Sequence, residues 1–291
     1  SLSLKAVEGN YFSTAYMQLV YEVGELFKKH EYLMESPVLN AEEKKKFGDI
    51  RYGRAGKIEV MRSLQILSEF LSKYYNKSVI LLIDEYDVPM ARATSNGYYK
   101  EMLEIMKGFM QALKDNQCIK LAVITGCLKI AKESIFTGTN NFVSNTITSS
   151  RLNEYYGFVQ NEVDRILEDA EIKGKGDIMK KWYDGYHFGD VDVYCPWDVM
   201  CYVDDLQKNP NAKPDEYWKD TSDNVIIRSF IDYAGASITK KLETLMNGGY
   251  IIQRVDENLT YDYLHSSEEN LWSLMYLTGY LTQVRDYKID D

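Results

Sequence analysis

The first half of the chain alternates buried-strand signals with amphipathic-helix signals. Val79-Ile80-Leu81-Leu82-Ile83 is one continuous aliphatic run, and Ile119-Lys120-Leu121-Ala122-Val123-Ile124 is a second, largely apolar one. Such runs predict strands of a parallel sheet covered on both faces. Ser1-Leu2-Ser3-Leu4-Lys5 alternates polar and apolar residues as a shorter strand does. Between the strands, apolar residues return at helical spacing: Phe12, Tyr16, Leu19, Val23 and Phe27, then Ile58, Met61, Leu64, Leu67 and Leu71, then Met102, Ile105, Met106, Phe109 and Leu113. The charged, glycine-punctuated stretch from Glu42 to Arg54 reads as a surface connection. Strand, helix, strand, helix, strand is the order that builds a parallel sheet flanked by helices.

The second half is mostly helical in pattern. Val163, Ile166, Leu167 and Ala170 form one apolar stripe, and Ile178 to Tyr183 predicts a further helix. Tyr183-Asp184-Gly185-Tyr186-His187-Phe188-Gly189 reads as an aromatic-rich turn. Ile238, Leu242, Leu245 and Met246 predict a helix stopped by Gly248-Gly249. Tyr250–Val255 and Leu259–Leu264 around Asp256-Glu257-Asn258 read as a hairpin, and a helix follows from Ser267 to Leu277. Helix, hairpin, helix is compatible with a winged-helix module, for which packing against a neighbour is the favoured role because clustered Lys and Arg are missing. The expected organisation is an α/β core over 1–151, a helical region over 152–235 and a winged-helix-like end over 236–291.

Composition narrows the function classes. The chain has 291 residues and a formal net charge of −10, so nonspecific nucleic-acid binding by the whole surface is disfavoured. No apolar run approaches the ~18 residues that span a membrane, and no signal-peptide pattern opens the chain. Cys118, Cys127, Cys195 and Cys201 lack C-x-x-C spacing and a histidine cluster, which argues against zinc and for reduced thiols in a cytoplasmic protein. His30, His187 and His265 form no recognisable set with a nucleophile. The opening residues lack an initiator methionine and begin mid-strand, which suggests a piece of a longer polypeptide.

The candidate chemistry lies where the first aliphatic run meets Asp84-Glu85. In parallel sheets ligands bind beyond the carboxyl ends of the strands. Two carboxylates there suit Mg²⁺ binding and the orientation of a water beside a phosphate, as in the Walker B pattern of P-loop NTPases. An acid that only solvates a loop or caps a helix is the plainer alternative. Thr125, closing the second run, would stand beside Asp84 as a γ-phosphate sensor, or would merely bond its own backbone. Lys129, Lys132 and Arg151 are candidate cations for phosphate charge. A Walker A loop needs G-x-x-x-x-G-K-[ST] between a strand and a helix. The one partial match, Gly53-Arg54-Ala55-Gly56-Lys57-Ile58, has no hydroxyl after the lysine and no strand before it, and reads as a helix entrance.

Taken together, VILLIDEYDVPMARA (79–93), ITGCLKIAKESIFTGTNNF (124–142), EYYGF (154–158), KKWYDGYHFGDVDVYCPWDVM (180–200), YWKDTSDN (217–224) and LHSSEENLWSLMYLTGYLTQV (264–284) resemble the bacterial AAA-ATPase-like family. Members of that family commonly carry a PD-(D/E)XK nuclease-like domain after the ATPase region. The resemblance implies ATP and Mg²⁺ as ligands of the full-length parent, Asp84 as the metal-associated acid, Glu85 as the group polarising water, and Thr125 at a sensor position. It also implies a first strand, P-loop and helix before Ser1, and assigns Arg151 to nucleotide only by proximity in sequence.

The resulting expectation is a truncated P-loop NTPase-like parallel sheet with helices on both faces, then the helical region and the winged-helix-like end. Val79–Ile83 is expected between Ser1–Lys5 and Ile119–Ile124, with the last strand unpaired on its outer edge. The parent is expected to hydrolyse ATP and this chain to do so negligibly. The alternative is a non-hydrolysing module contacting a protein partner, a second copy, a linked nuclease domain or DNA, though charge does not support DNA. Trp182, Asp184, Tyr186 and Trp197 have no derivable chemistry, and packing is their default role.

Overall fold

A computed structural model describes residues 1–114, 116–127, 142–218, 236–257, 259 and 267–284. The chain divides into two compact units, Ser1–Phe142 with Glu257–Ser266, and Val143–Asp256 with Ser267–Asp291.

The first unit holds a three-stranded parallel sheet in the order β1 (Leu2–Ser3), β2 (Val79–Asp84), β3 (Ile119–Ile124). The expected central place of Val79–Ile83 is therefore observed, and β3 is an edge strand among the described residues. Helices α1 (Phe12–Lys28), α2 (Ala41–Arg51), α3 (Lys57–Met61) and α4 (Ser63–Tyr75) connect β1 to β2, and α5 (Val88–Ser95) and α6 (Tyr99–Met110) connect β2 to β3. The strands advance across the sheet in one direction, so right-handed crossovers put both helical connections on the same face. Leu2 and Ile83 are buried on that side at 5% and 2% exposure.

Among the described residues no element covers the other face, which corrects the expected burial on both faces. Ile80, Leu82, Leu121 and Val123 are 57%, 44%, 53% and 45% exposed. The register pairs Ile80 with Leu121 and Leu82 with Val123, so the four side chains form one patch. An uninterrupted aliphatic run encodes a strand fit for burial on both sides, and the described elements supply cover for one.

Two further readings change. The stretch from Glu42 to Arg54 contains α2 rather than a loop: Asn40 Oδ1 accepts from the backbone N–H groups of Glu42 at 3.0 Å and Glu43 at 2.9 Å, and Glu43 returns a bond to the Asn40 N–H at 2.8 Å. That reciprocal cap offsets a polar composition, and the helix buries only Phe47, Gly48 and Ile50. The stripe from Ile58 to Leu71 is two helices joined at Arg62. Gly56 does enter α3, and helix α2 precedes it, so the Gly53–Lys57 segment has no strand before it.

In the second unit, α7 (Gln160–Asp169), α8 (Gly176–Tyr183) and α9 (Pro196–Lys208) share a core of Val163, Leu167, Met179, Tyr183, Val199 and Tyr202. The aromatic turn is the first strand of a hairpin, β4 (Tyr186–Phe188) against β5 (Val191–Val193). His187 and Asp192 face each other across it at 2.7 Å. Helices α10 (Ala236–Met246) and α11 (Glu268–Leu277) are joined by the Lys241–Glu268 ion pair at 2.7 Å. Residues 250–256 form no strand, and 260–264 of the other half of the expected hairpin lie outside the described residues, as does His265. Among the described residues, no helix is long and apolar enough to cross a membrane.

Candidate functional site

The carboxyl ends of β2 and β3 bring three of the expected residues together. Asp84 is the last residue of β2 and is exposed; its Oδ1 accepts a hydrogen bond from the Thr125 hydroxyl. Thr125 is held by its own backbone, its N–H donating to the Ile83 carbonyl at 2.9 Å and its carbonyl accepting from the Tyr86 N–H at 3.1 Å. The Leu4 N–H donates to the Asp84 carbonyl at 2.9 Å, which ties the first strand to the same spot. The hydroxyl is thus free of the backbone-capping role that a strand-terminal threonine can take, and is spent on the carboxylate.

Glu85 follows in a left-handed conformation, with φ of 55°. This backbone costs a non-glycine residue about 1 kcal/mol and is often retained where a side chain must be aimed. Here it lets the chain leave β2 while Tyr86 reaches back to Thr125. Glu85 Oε2 is out of solvent without a hydrogen-bond partner. A buried carboxylate oxygen left unpaired carries a desolvation cost, and its remedy is a donor such as a water or ligand.

Sequence reasoning missed the floor beneath these groups. Asp87, read only as part of a turn, is 4% exposed, and its Oδ1 accepts from the Cys127 N–H at 3.2 Å. Gly126 lies against it: a Cβ there would meet Asp87 Oδ1 at 2.5 Å and two Tyr86 ring carbons at 2.6 Å. The signal was available in the D-E-Y-D spacing and in the glycine directly after Thr125. Burial, then the Asp87, Glu85 and Asp84 carboxylates, push the Cys127 thiol up to about 11, so it is protonated at neutral pH and is no nucleophile.

Of the other expected residues, Arg151 is exposed and belongs to the second unit, and Lys129 and Lys132 lie outside the described residues. Among the described residues, no group of three or more His, Cys, Asp or Glu side chains could cage a metal. The donors at the strand ends are hard oxygens, suited to Mg²⁺ held by one carboxylate with phosphate and water.

Residues 7–136 match the family model described as AAA-ATPase_like, Predicted AAA-ATPase. Over that stretch the chain is similar to the AAA-ATPase-like family. The matched segment includes Asp84, Glu85 and Thr125 and stops before Arg151. The chain is also similar to an uncharacterized protein in the vnfD 5' region of Azotobacter chroococcum mcd 1, with 26% identity over 207 residues. The alignment covers 70% of this chain and 37% of that relative, so the chain spans little more than a third of the relative's length. No solved structure matches the chain.

Proposed function

We propose that this chain carries the acidic half of an ATP-hydrolysing site, completed in the whole protein by a phosphate-binding loop outside residues 1–291. The observation that carries the reading is the meeting of Asp84, Glu85 and Thr125 at the open ends of two parallel strands, with one carboxylate exposed and the other unpaired. The donor set fits Mg²⁺ and a terminal phosphate. In this reading Asp84 would hold the metal, and Thr125 fixes the Asp84 carboxylate by donating to it. Glu85, shielded and unpaired, would accept a hydrogen bond from the attacking water and turn it toward phosphorus. Bound Mg²⁺ would supply charge neutralisation at the phosphate oxygens.

The bare apolar face supports the same reading, because it ends at Asp84 and Thr125 and offers a seat for the loop, its strand and its helix. Arg151 as a further phosphate contact is an extension of this proposal.

The test is metal-dependent nucleotide binding by the whole protein. Asp84→Asn should abolish the Mg²⁺ enhancement of ATP affinity while leaving metal-free binding unchanged. An unchanged Mg²⁺ response would remove Asp84 from the site. This chain alone should bind ATP weakly and turn it over negligibly, since it holds no G-x-x-x-x-G-K-[ST] sequence.

A further inference from the structure

Asp87 has no role in the proposed hydrolysis, yet its carboxylate is placed where its own helix makes no use of it. It stands at the N-cap of α5, where an aspartate ordinarily accepts from the second or third amide of the helix. The second residue is Pro89, which has no N–H, and the Met90 N–H bonds the Asp87 backbone carbonyl at 3.0 Å. The side chain makes no capping bond. It is buried, and its Oδ1 accepts instead from the Cys127 N–H at 3.2 Å, 40 positions along the chain.

That bond carries the pairing of β2 with β3 past the end of their ladder. The register runs to Ile83 beside Ile124, and the Thr125 backbone then bonds Ile83 on one side and Tyr86 on the other. Glu85, in its left-handed conformation, turns the chain out of β2, and the link between the two segments passes to a side chain, Asp87 on the Cys127 amide. Gly126 lies between the two anchored residues. Any Cβ there would stand 2.5 Å from Asp87 Oδ1, so the carboxylate reaches Cys127 only because residue 126 is glycine. A glycine also leaves the backbone freer than any other residue does, and the Asp87 bond restrains it on its far side.

We infer that Asp87 is a positioning residue of the candidate site: by holding Cys127 it fixes the exit of β3 and keeps the Thr125 hydroxyl on the Asp84 carboxylate. The inference rests on the reading of Asp84, Glu85 and Thr125 as an ATP-hydrolysing group. Asp87 acts through Thr125 and touches neither nucleotide nor metal. A loosened exit lets the Thr125 hydroxyl drift from Asp84, and displacements of about 1 Å are enough to slow a reaction that depends on alignment. The loss falls on turnover, because ATP affinity resides mainly in the phosphate-binding loop.

The test pairs Asp87→Ala, which removes the acceptor, with Asp87→Asn, whose Oδ1 can still accept from the Cys127 N–H. In the nucleotide-free whole protein, hydrogen exchange resolved to single amides should be at least about ten-fold faster at Cys127 in Asp87→Ala and near parental in Asp87→Asn. In Asp87→Ala, kcat should fall at least about ten-fold with KM for ATP within about three-fold of the parent, and Asp87→Asn should restore most of the loss. Adding Asp87→Ala to Thr125→Val should lower kcat little further, since both act through one bond. Asn40→Ala, destabilised away from the site, should keep the parent's kcat. Should Asp87→Ala fail to fold, Gly126→Ala, which pushes the same carboxylate off the Cys127 amide, takes its place with the same expected losses. A whole protein that does not turn over ATP overturns the reading of the site and the inference with it. Where the parent does turn over, the inference alone is overturned by parental kcat in Asp87→Ala, by full additivity with Thr125→Val, or by unchanged protection at Cys127.

Discussion

Gly126→Ala introduces one methyl group at the tightest point beneath the candidate site. Its Cβ would stand 2.5 Å from Asp87 Oδ1 and 2.6 Å from two carbons of the Tyr86 ring, whereas ordinary contact begins at 3.4 Å. The Asp87 carboxylate must therefore retreat by about 0.9 Å, and it is 4% exposed with the Cys127 N–H bonded to it. Overpacking of this kind costs about 1–3 kcal/mol. Gly126 is not in the left-handed region, so alanine suits its backbone and returns about 0.4–1 kcal/mol through the unfolded chain. The net loss should be about 1–2 kcal/mol. All four tryptophans lie in the second unit, so their fluorescence is the wrong probe. Hydrogen exchange read on peptides covering 79–90 and 119–127 is the right one. Their slowest amides should exchange about 5–30 times faster in the variant. Gly185→Ala, where a Cβ meets nothing within 4 Å, should leave exchange unchanged. Unaltered protection at 79–90 in Gly126→Ala would refute the packing argument.

Other expectations follow from the same geometry. Ile83→Ala, on the covered face of β2, should cost about 2–5 kcal/mol, while Leu82→Ala next to it on the bare face should cost under about 1 kcal/mol; thermal melts that rank them equally would mean the bare face is covered. Asn40→Ala should lower stability by about 1 kcal/mol by removing the α2 cap, measured by urea denaturation. The Asn40 backbone N–H, and then Lys73, hold the Glu43 carboxyl below its ordinary range despite an opposing effect of burial. Its contribution is complete above the unfolded glutamate value and is lost as pH falls through the lower folded value. Glu43→Gln should therefore flatten the acid-side fall in melting temperature and leave the neutral region otherwise unshaped by pH.

Strand order was legible because two aliphatic runs and an alternating N-terminal segment left few arrangements once crossovers are right-handed. The position of the acidic pair was legible for a related reason: residues directly after a buried strand stand at its carboxyl end, whether they meet a ligand or only solvate a loop. Helix α2 was hidden because its stability comes from the Asn40–Glu43 cap and local polar contacts, not from an apolar stripe. The hairpin at Tyr186–Val193 was hidden because its strands are three residues each, too short for a period to emerge. The bare face was beyond reach for a different reason. A run of aliphatic residues records that both sides of a strand can be covered, and carries no mark of which part of the molecule does the covering. Asp87 and Gly126 needed coordinates, since their roles depend on a close approach between segments 40 residues apart.

The central claim is that Glu85, shielded and lacking a partner, acts on the water that attacks ATP. Turnover and ATP affinity of the whole protein, measured side by side for the parent and for Glu85→Gln, test it most directly. The account predicts turnover lowered by about 10²-fold or more with affinity retained. Turnover within a few-fold of the parent would contradict it.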